Sequence, residues 1–200
     1  MVIESYSLQP EAIFTEITAV KPSIEKSSPI KTTPSISKDI YLSTIENLLL
    51  HIQKGDCYEI NYCQEFHSID TAIDAVKLYA QLTALSPTPF ACYYKENESH
   101  LICASPERWL KKQGNTIISQ PIKGTVKREL ANIEKDELLK NQLFHSSKDR
   151  SENVMVVDLV RNDFSRVCKA GTVQVDELYG IYSFPQVHQM ISTISGQLLE

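Results

Sequence analysis

Between Phe90 and Thr125 short strand-forming runs alternate with turn signals, and this punctuation limits the possible folds more than any other feature of the chain. Strands are predicted over 90–94, 101–104, 109–112 and 116–120, with Glu96-Asn97-Glu98-Ser99 turning the first pair and Gly114-Asn115 the last. Strands so close in sequence pair antiparallel, which predicts a meander running into Pro121-Ile122-Lys123-Gly124-Thr125. Helical periods flank this region. Ser37 caps a predicted helix with apolar positions Ile40, Ile45, Leu48, Leu49 and Ile52, and Gly55 closes it. Further helices are predicted over 72–85, stopped by Ser86-Pro87-Thr88-Pro89, and over 133–144 and 146–163. Strands are also predicted over 57–63, 173–182 and 187–198. Strands in succession, helices to either side and no βαβ alternation indicate an α+β fold of antiparallel sheets flanked by helices.

The hairpin through Gly114-Asn115 has a chemical consequence. It draws Ser105-Pro106-Glu107-Arg108 toward the Lys123 segment, so that Glu107 and Lys123 can meet despite their separation in sequence. As a surface ion pair they would contribute less than about 1 kcal/mol. In a shared pocket, a desolvated Lys123 is a nucleophile and Glu107 an acid that supplies or removes a proton. Gly124, without a Cβ, lets the backbone approach a ligand closely.

A second polar set lies on the helix predicted over 146–163. From Asn153 to Asp163 that helix is apolar on most faces, which predicts burial. Asp158 and Arg161 are spaced to pair along it. Glu152, four residues after Lys148, is either a solvated surface acid or a metal ligand at the rim of the buried part.

Composition removes several classes of function. A net charge of -5, a pI near 5.6 and the lack of any Lys/Arg cluster argue against a nucleic-acid partner. No charged-then-apolar leader opens the chain and no apolar run approaches about 18 residues, so no membrane association is expected. The five cysteines lack C-x-x-C spacing and are predicted to be buried thiols of a reducing compartment, the cytoplasm. No glycine-rich phosphate loop and no Gly-x-Ser-x-Gly elbow occur. Residues 1–38 read as a remnant of a preceding segment, with Ile13, Phe14, Ile17 and Val20 in a small helix or strand, followed by a flexible Pro/Ser/Thr linker.

Five stretches together resemble the chorismate-utilising enzymes. They are Gly55-Asp56-Cys57-Tyr58-Glu59-Ile60-Asn61, Ser105-Pro106-Glu107-Arg108, Pro121-Ile122-Lys123-Gly124-Thr125, Lys148-Asp149-Arg150-Ser151-Glu152-Asn153 running on to Asp163, and Val187 to Ser192. They stand in the family's order. The resemblance implies a partial anthranilate synthase component I-like fold, with 39–200 as the N-terminal part of the chorismate-binding catalytic domain. Lysine before Gly124-Thr125 resembles the branch that makes 4-amino-4-deoxychorismate, whereas the anthranilate-forming branch typically has alanine there.

That branch implies roles for single residues. Lys123 would attack C2 of chorismate while Glu107 protonates the departing C4 hydroxyl; ammonia, supplied by a glutamine amidotransferase subunit, would then add at C4. Gly124, Thr125 and His188 would border the substrate, and Glu152 would hold Mg²⁺ against a substrate carboxylate. Two positions depart from the pattern, Glu59 in place of glutamine and Gln189 in place of histidine. The family continues beyond Glu200 with further metal and substrate ligands, so the chain is expected to be a fragment, inactive in isolation. An anthranilate synthase component, or a non-catalytic remnant acting as a binding module, is the alternative.

Overall fold

The computed structural model describes residues 30–199 together with Thr15 and Ala19. The remnant and most of the linker expected over 1–38 lie outside the described residues. The chain divides into two compact units, one ending at Asp74 and the other continuing from Ala75.

In the smaller unit β1 (Thr33–Pro34) pairs antiparallel with β2 (Phe66–His67), and α1 spans Lys38–Lys54. The Ser37 hydroxyl oxygen accepts from the Ile40 amide at 3.4 Å, and Gly55, at φ 81°, donates its amide to the His51 and Ile52 carbonyls. The strand predicted over 57–63 does not form. No ladder partner lies beside it among the described residues; Tyr62 instead stacks on Tyr41 of α1, with ring centroids 5.1 Å apart.

The larger unit opens with α2 (Ala75–Leu85) and the hairpin of β3 (Phe90–Glu96) and β4 (Ser99–Ser105), in register from Phe90 opposite Ser105 to Glu96 opposite Ser99. Asn97 turns it at φ 51°, a left-handed conformation that asparagine tolerates. A second hairpin joins β5 (Arg108–Gln113) to β6 (Thr116–Gln120) around Gly114.

Here the predicted meander is corrected. β3 and β4 form a sheet of their own, and β6 does not fold back on β7 (Ile122–Lys127). Only Pro121 separates β6 from β7, and no turn residue accompanies it, so the chain runs on along one edge of a later strand. That strand is β9 (Val187–Gln197), which β8 (Gln174–Ser183) joins on its other edge. β9 is thus the centre of a five-stranded antiparallel sheet. His188, Met190, Ile191, Ser192, Ile194 and Ser195 are all buried, adjacent residues included, as happens when both faces of a strand are covered.

α3 (Ile133–His145) and α4 (Ser147–Val167) pack against β7, β8 and β9. The core gathers Val157 and Phe164 of α4 with Ile117, Cys168 and Ile194. Burying a side chain such as Phe164 contributes about 1.5–3 kcal/mol. Asn153, Val157 and Phe164 form a single buried stripe, while Leu159 is 59% exposed. The expectation that most faces of this helix are buried is therefore corrected: it rests on the sheet by one face. On the outer side Asp158 accepts from Arg161 at 2.7 Å, as the spacing predicts.

The cysteine expectation also needs correcting. All five thiols are free, but only Cys168 is buried, and Cys63 and Cys92 are exposed. Among the described residues no helix is long and apolar enough to cross a membrane.

Candidate active site

Glu107 follows the end of β4, where the Ser105 hydroxyl oxygen accepts its amide at 3.2 Å. Glu107 Oε1 in turn accepts the Ile122 amide at 2.9 Å. The hairpin therefore delivers the acid to the residue before Lys123. A polar chain braces the crossing: Arg108 Nε donates to Gln120 Oε1 at 2.8 Å, Gln120 Nε2 to Thr193 Oγ1 at 3.1 Å, and the Arg108 guanidinium lies 4.7 Å from the Phe90 ring centre.

Lys123 and Gly124 form a bulge. Ile122 stands opposite Ile191 and Thr125 opposite Gln189, so two residues of β7 face Met190 alone. Gly124 has φ 94°, and a Cβ on it would lie 2.9 Å from Asp149 Cβ and 3.2 Å from Asp149 Oδ1. Asp149 is held by the α4 cap, where the Ser146 hydroxyl donates to its carboxylate and accepts its amide at 3.3 Å. The first turn of α4 thus presses on the bulge that carries Lys123. Asp149 was not among the expected site residues, although the Ser146-x-x-Asp149 capping pattern was open to view.

Thr125 and Gln189 line one wall of a cavity of about 220 Å³ that Thr88, Pro106, Phe184 and Val187 also border. Gln189 Nε2 points to Thr125 Oγ1 at 3.5 Å. His188, expected to touch substrate, does not reach this wall. It is 1% exposed, its Nδ1 is 2.8 Å from Ser183 Oγ and its Nε2 is 3.1 Å from Asp136 Oδ1. With both ring nitrogens occupied it has none for a ligand. Neighbours on a strand face opposite ways, so Gln189 takes the cavity side.

Asp136, on α3, also accepts from Arg128 Nη2 at 2.8 Å and from the Glu129 amide at 2.8 Å. The Arg128 guanidinium, against some opposing desolvation, holds its carboxyl at about 2, below the ordinary 3.8. Because the folded value is depressed, this stabilisation is present above pH 3.8 and is lost as pH falls toward 2. Melting temperature followed over that window should fall more steeply in the parent than in Asp136→Asn. Parallel curves would show that Asp136 contributes nothing to acid unfolding.

Glu152 is half-buried on α4, 3.8 Å from Lys148 Nζ. Among the described residues no three His, Cys, Asp or Glu side chains gather to hold a metal ion. One carboxylate is nevertheless a donor of the right kind for Mg²⁺, which takes one or two from protein and fills the rest of its shell with water and substrate. Glu59 lies in the smaller unit, outside any helix or strand.

The helix-backed antiparallel sheet is the fold of a known class. Residues 4–200 match the family model described as chorismate binding enzyme, and the chain belongs to that family. Anthranilate synthase component I from Streptococcus pneumoniae TIGR4 shares the α+β fold, with a TM-score of 0.76 at 24% identity over 96% of this chain and 42% of its own. Among curated relatives, the probable chloroplastic aminodeoxychorismate synthase of Oryza sativa subsp. japonica is 40% identical over 80% of the chain. Aminodeoxychorismate synthase component 1 of Escherichia coli (strain K12) is 36% identical over 83% of it. The chain spans 18% of the rice protein's length and 36% of the bacterial one's.

Proposed function

We propose that this chain is the part of an aminodeoxychorismate synthase component I that carries its nucleophile, and that the whole protein converts chorismate and ammonia to 4-amino-4-deoxychorismate on the route to para-aminobenzoate and folate. The observation that carries the reading is the Lys123-Gly124 bulge, with Glu107 anchored on the adjoining amide.

The unprotonated Lys123 amine forms a bond to C2 of chorismate, both conjugated ring double bonds shift, to C1–C6 and C4–C5, and the C4–O bond breaks. Glu107 gives its proton to that oxygen, which leaves as water. Ammonia then bonds to C4, both double bonds shift back, the C2–N bond to Lys123 breaks with release of the free amine, and the new C4 ammonium returns a proton to Glu107. A single hard displacement becomes two easier ones. The Gly124 backbone and Thr125 hydroxyl border the ring. Glu152 would hold Mg²⁺, which when bound neutralises a substrate carboxylate. Ammonia comes from a glutamine amidotransferase partner, in keeping with the "component 1" of the relatives' names. Five unpaired thiols support a reducing compartment, and we place the protein in the cytoplasm.

Product identity tests the proposal. The full-length protein, given chorismate, ammonium and Mg²⁺, should form aminodeoxychorismate, which an added lyase converts to para-aminobenzoate. Anthranilate fluorescence without lyase would transfer the chain to the anthranilate-forming branch.

A further inference from the structure

No step of the proposed reaction uses Asp136, yet its carboxylate joins α3 to the segment after β7 and to β9. Arg128 and Glu129, just beyond β7, donate to it; His188 of β9 contacts it; and Arg128 also donates to the Phe184 carbonyl at 3.2 Å at the end of β8. The Arg128 amide adds a bond to the Gln186 carbonyl at 3.0 Å. This knot is buried, with Asp136 6% and His188 1% exposed.

Its place in the register gives it meaning. His188 stands opposite Val126, one residue from the Thr125 and Gln189 pair that walls the cavity. A carboxylate only accepts, so His188 Nε2–H donates to Asp136 at 3.1 Å, while Nδ1 lies 2.8 Å from the Ser183 hydroxyl and both ring nitrogens are engaged. Each group has one orientation left. Since a slip of one residue turns every side chain of a strand to the other face, pinning His188 on the helix side obliges Gln189 to face the cavity.

We infer that Asp136 is a positioning residue: through His188 it sets the register of β9 against β7, and so holds Thr125 and Gln189 as the substrate wall. The inference rests on the proposed function, because chorismate is the probe. In Asp136→Asn an amide nitrogen replaces one oxygen and faces donors, which breaks the knot while keeping its volume.

In the full-length protein with Mg²⁺, Asp136→Asn should bind chorismate about tenfold more weakly without ammonia, and raise KM alike with kcat within about threefold. Val157→Ala, a cavity in the α4 core, should lower the melting temperature and leave KM unmoved. Ser183→Ala removes only the hydroxyl on His188 Nδ1 and should weaken binding about threefold; it decides the matter if Asp136→Asn does not fold. The inference is overturned if either knot variant binds like the parent, or if Val157→Ala weakens binding equally. A parent that fails to bind chorismate overturns the functional reading and this inference with it.

Discussion

Lys123→Ala is expected to reduce turnover of chorismate and ammonia by at least about a thousandfold while leaving chorismate binding close to that of the parent. The covalent route exists only because an amine stands at this point of β7, and alanine can form no bond to C2. Lys123 is half-buried in a bulge whose geometry depends on Gly124 and on the neighbouring pairs of Ile122 with Ile191 and Thr125 with Gln189, none of which needs the lysine side chain. Steady-state rates and calorimetric titration with chorismate separate the two quantities. Turnover within about tenfold of the parent would remove Lys123 from the chemistry, since a lost nucleophile costs far more than that.

Gly124→Ala should destabilise the fold by about 2–4 kcal/mol, from two additive sources. A Cβ at φ 94° is strained in itself. It would also stand 2.9 Å from Asp149 Cβ, an atom fixed by the α4 backbone and unable to rotate away. Either β7 or the first turn of α4 must shift, and Lys123 sits where the shift begins, so activity should fall with stability. Denaturant unfolding of the parent and the variant measures the effect. A difference below about 0.5 kcal/mol would mean that the contact relaxes freely and that the glycine answers some other need.

Much of the local structure of both units was legible in the residues. The hairpin at Gly114-Asn115, the cap at Ser37, and the strands on either side of Phe184-Pro185 all follow from local rules, because turn chemistry and capping act over a few residues. What escaped was the pairing. Nothing local says that Pro121 extends the chain instead of turning it, or that β9 from far along the sequence receives β6, β7 and β8. The site followed the same division. Glu107 reached the Lys123 segment as the hairpin demanded, whereas Asp136 looked like one more acid in a charged helix, and its burial depends on Arg128 and His188 arriving from two strands. His188 and Gln189 were separable only by strand parity, and parity does not say which face is the helix side. The 57–63 run failed for the opposite reason: its residues suit a strand, but among the described residues no strand lies beside it to receive its backbone.

The central position of β9 sets an order of events during synthesis. β6 and β7 leave the ribosome roughly 70 residues before β9. Until then the main-chain amides and carbonyls along that edge have only water or a stranger to bond, the condition in which nascent chains stick together. High-separation pairing of this kind also slows folding. Lys111 and Lys112 on β5, the outer neighbour of β6, place charge where a foreign strand would otherwise add. Expression yield at elevated temperature should therefore be governed by changes to β9 and to these two lysines more than by changes in the early hairpin of β3 and β4.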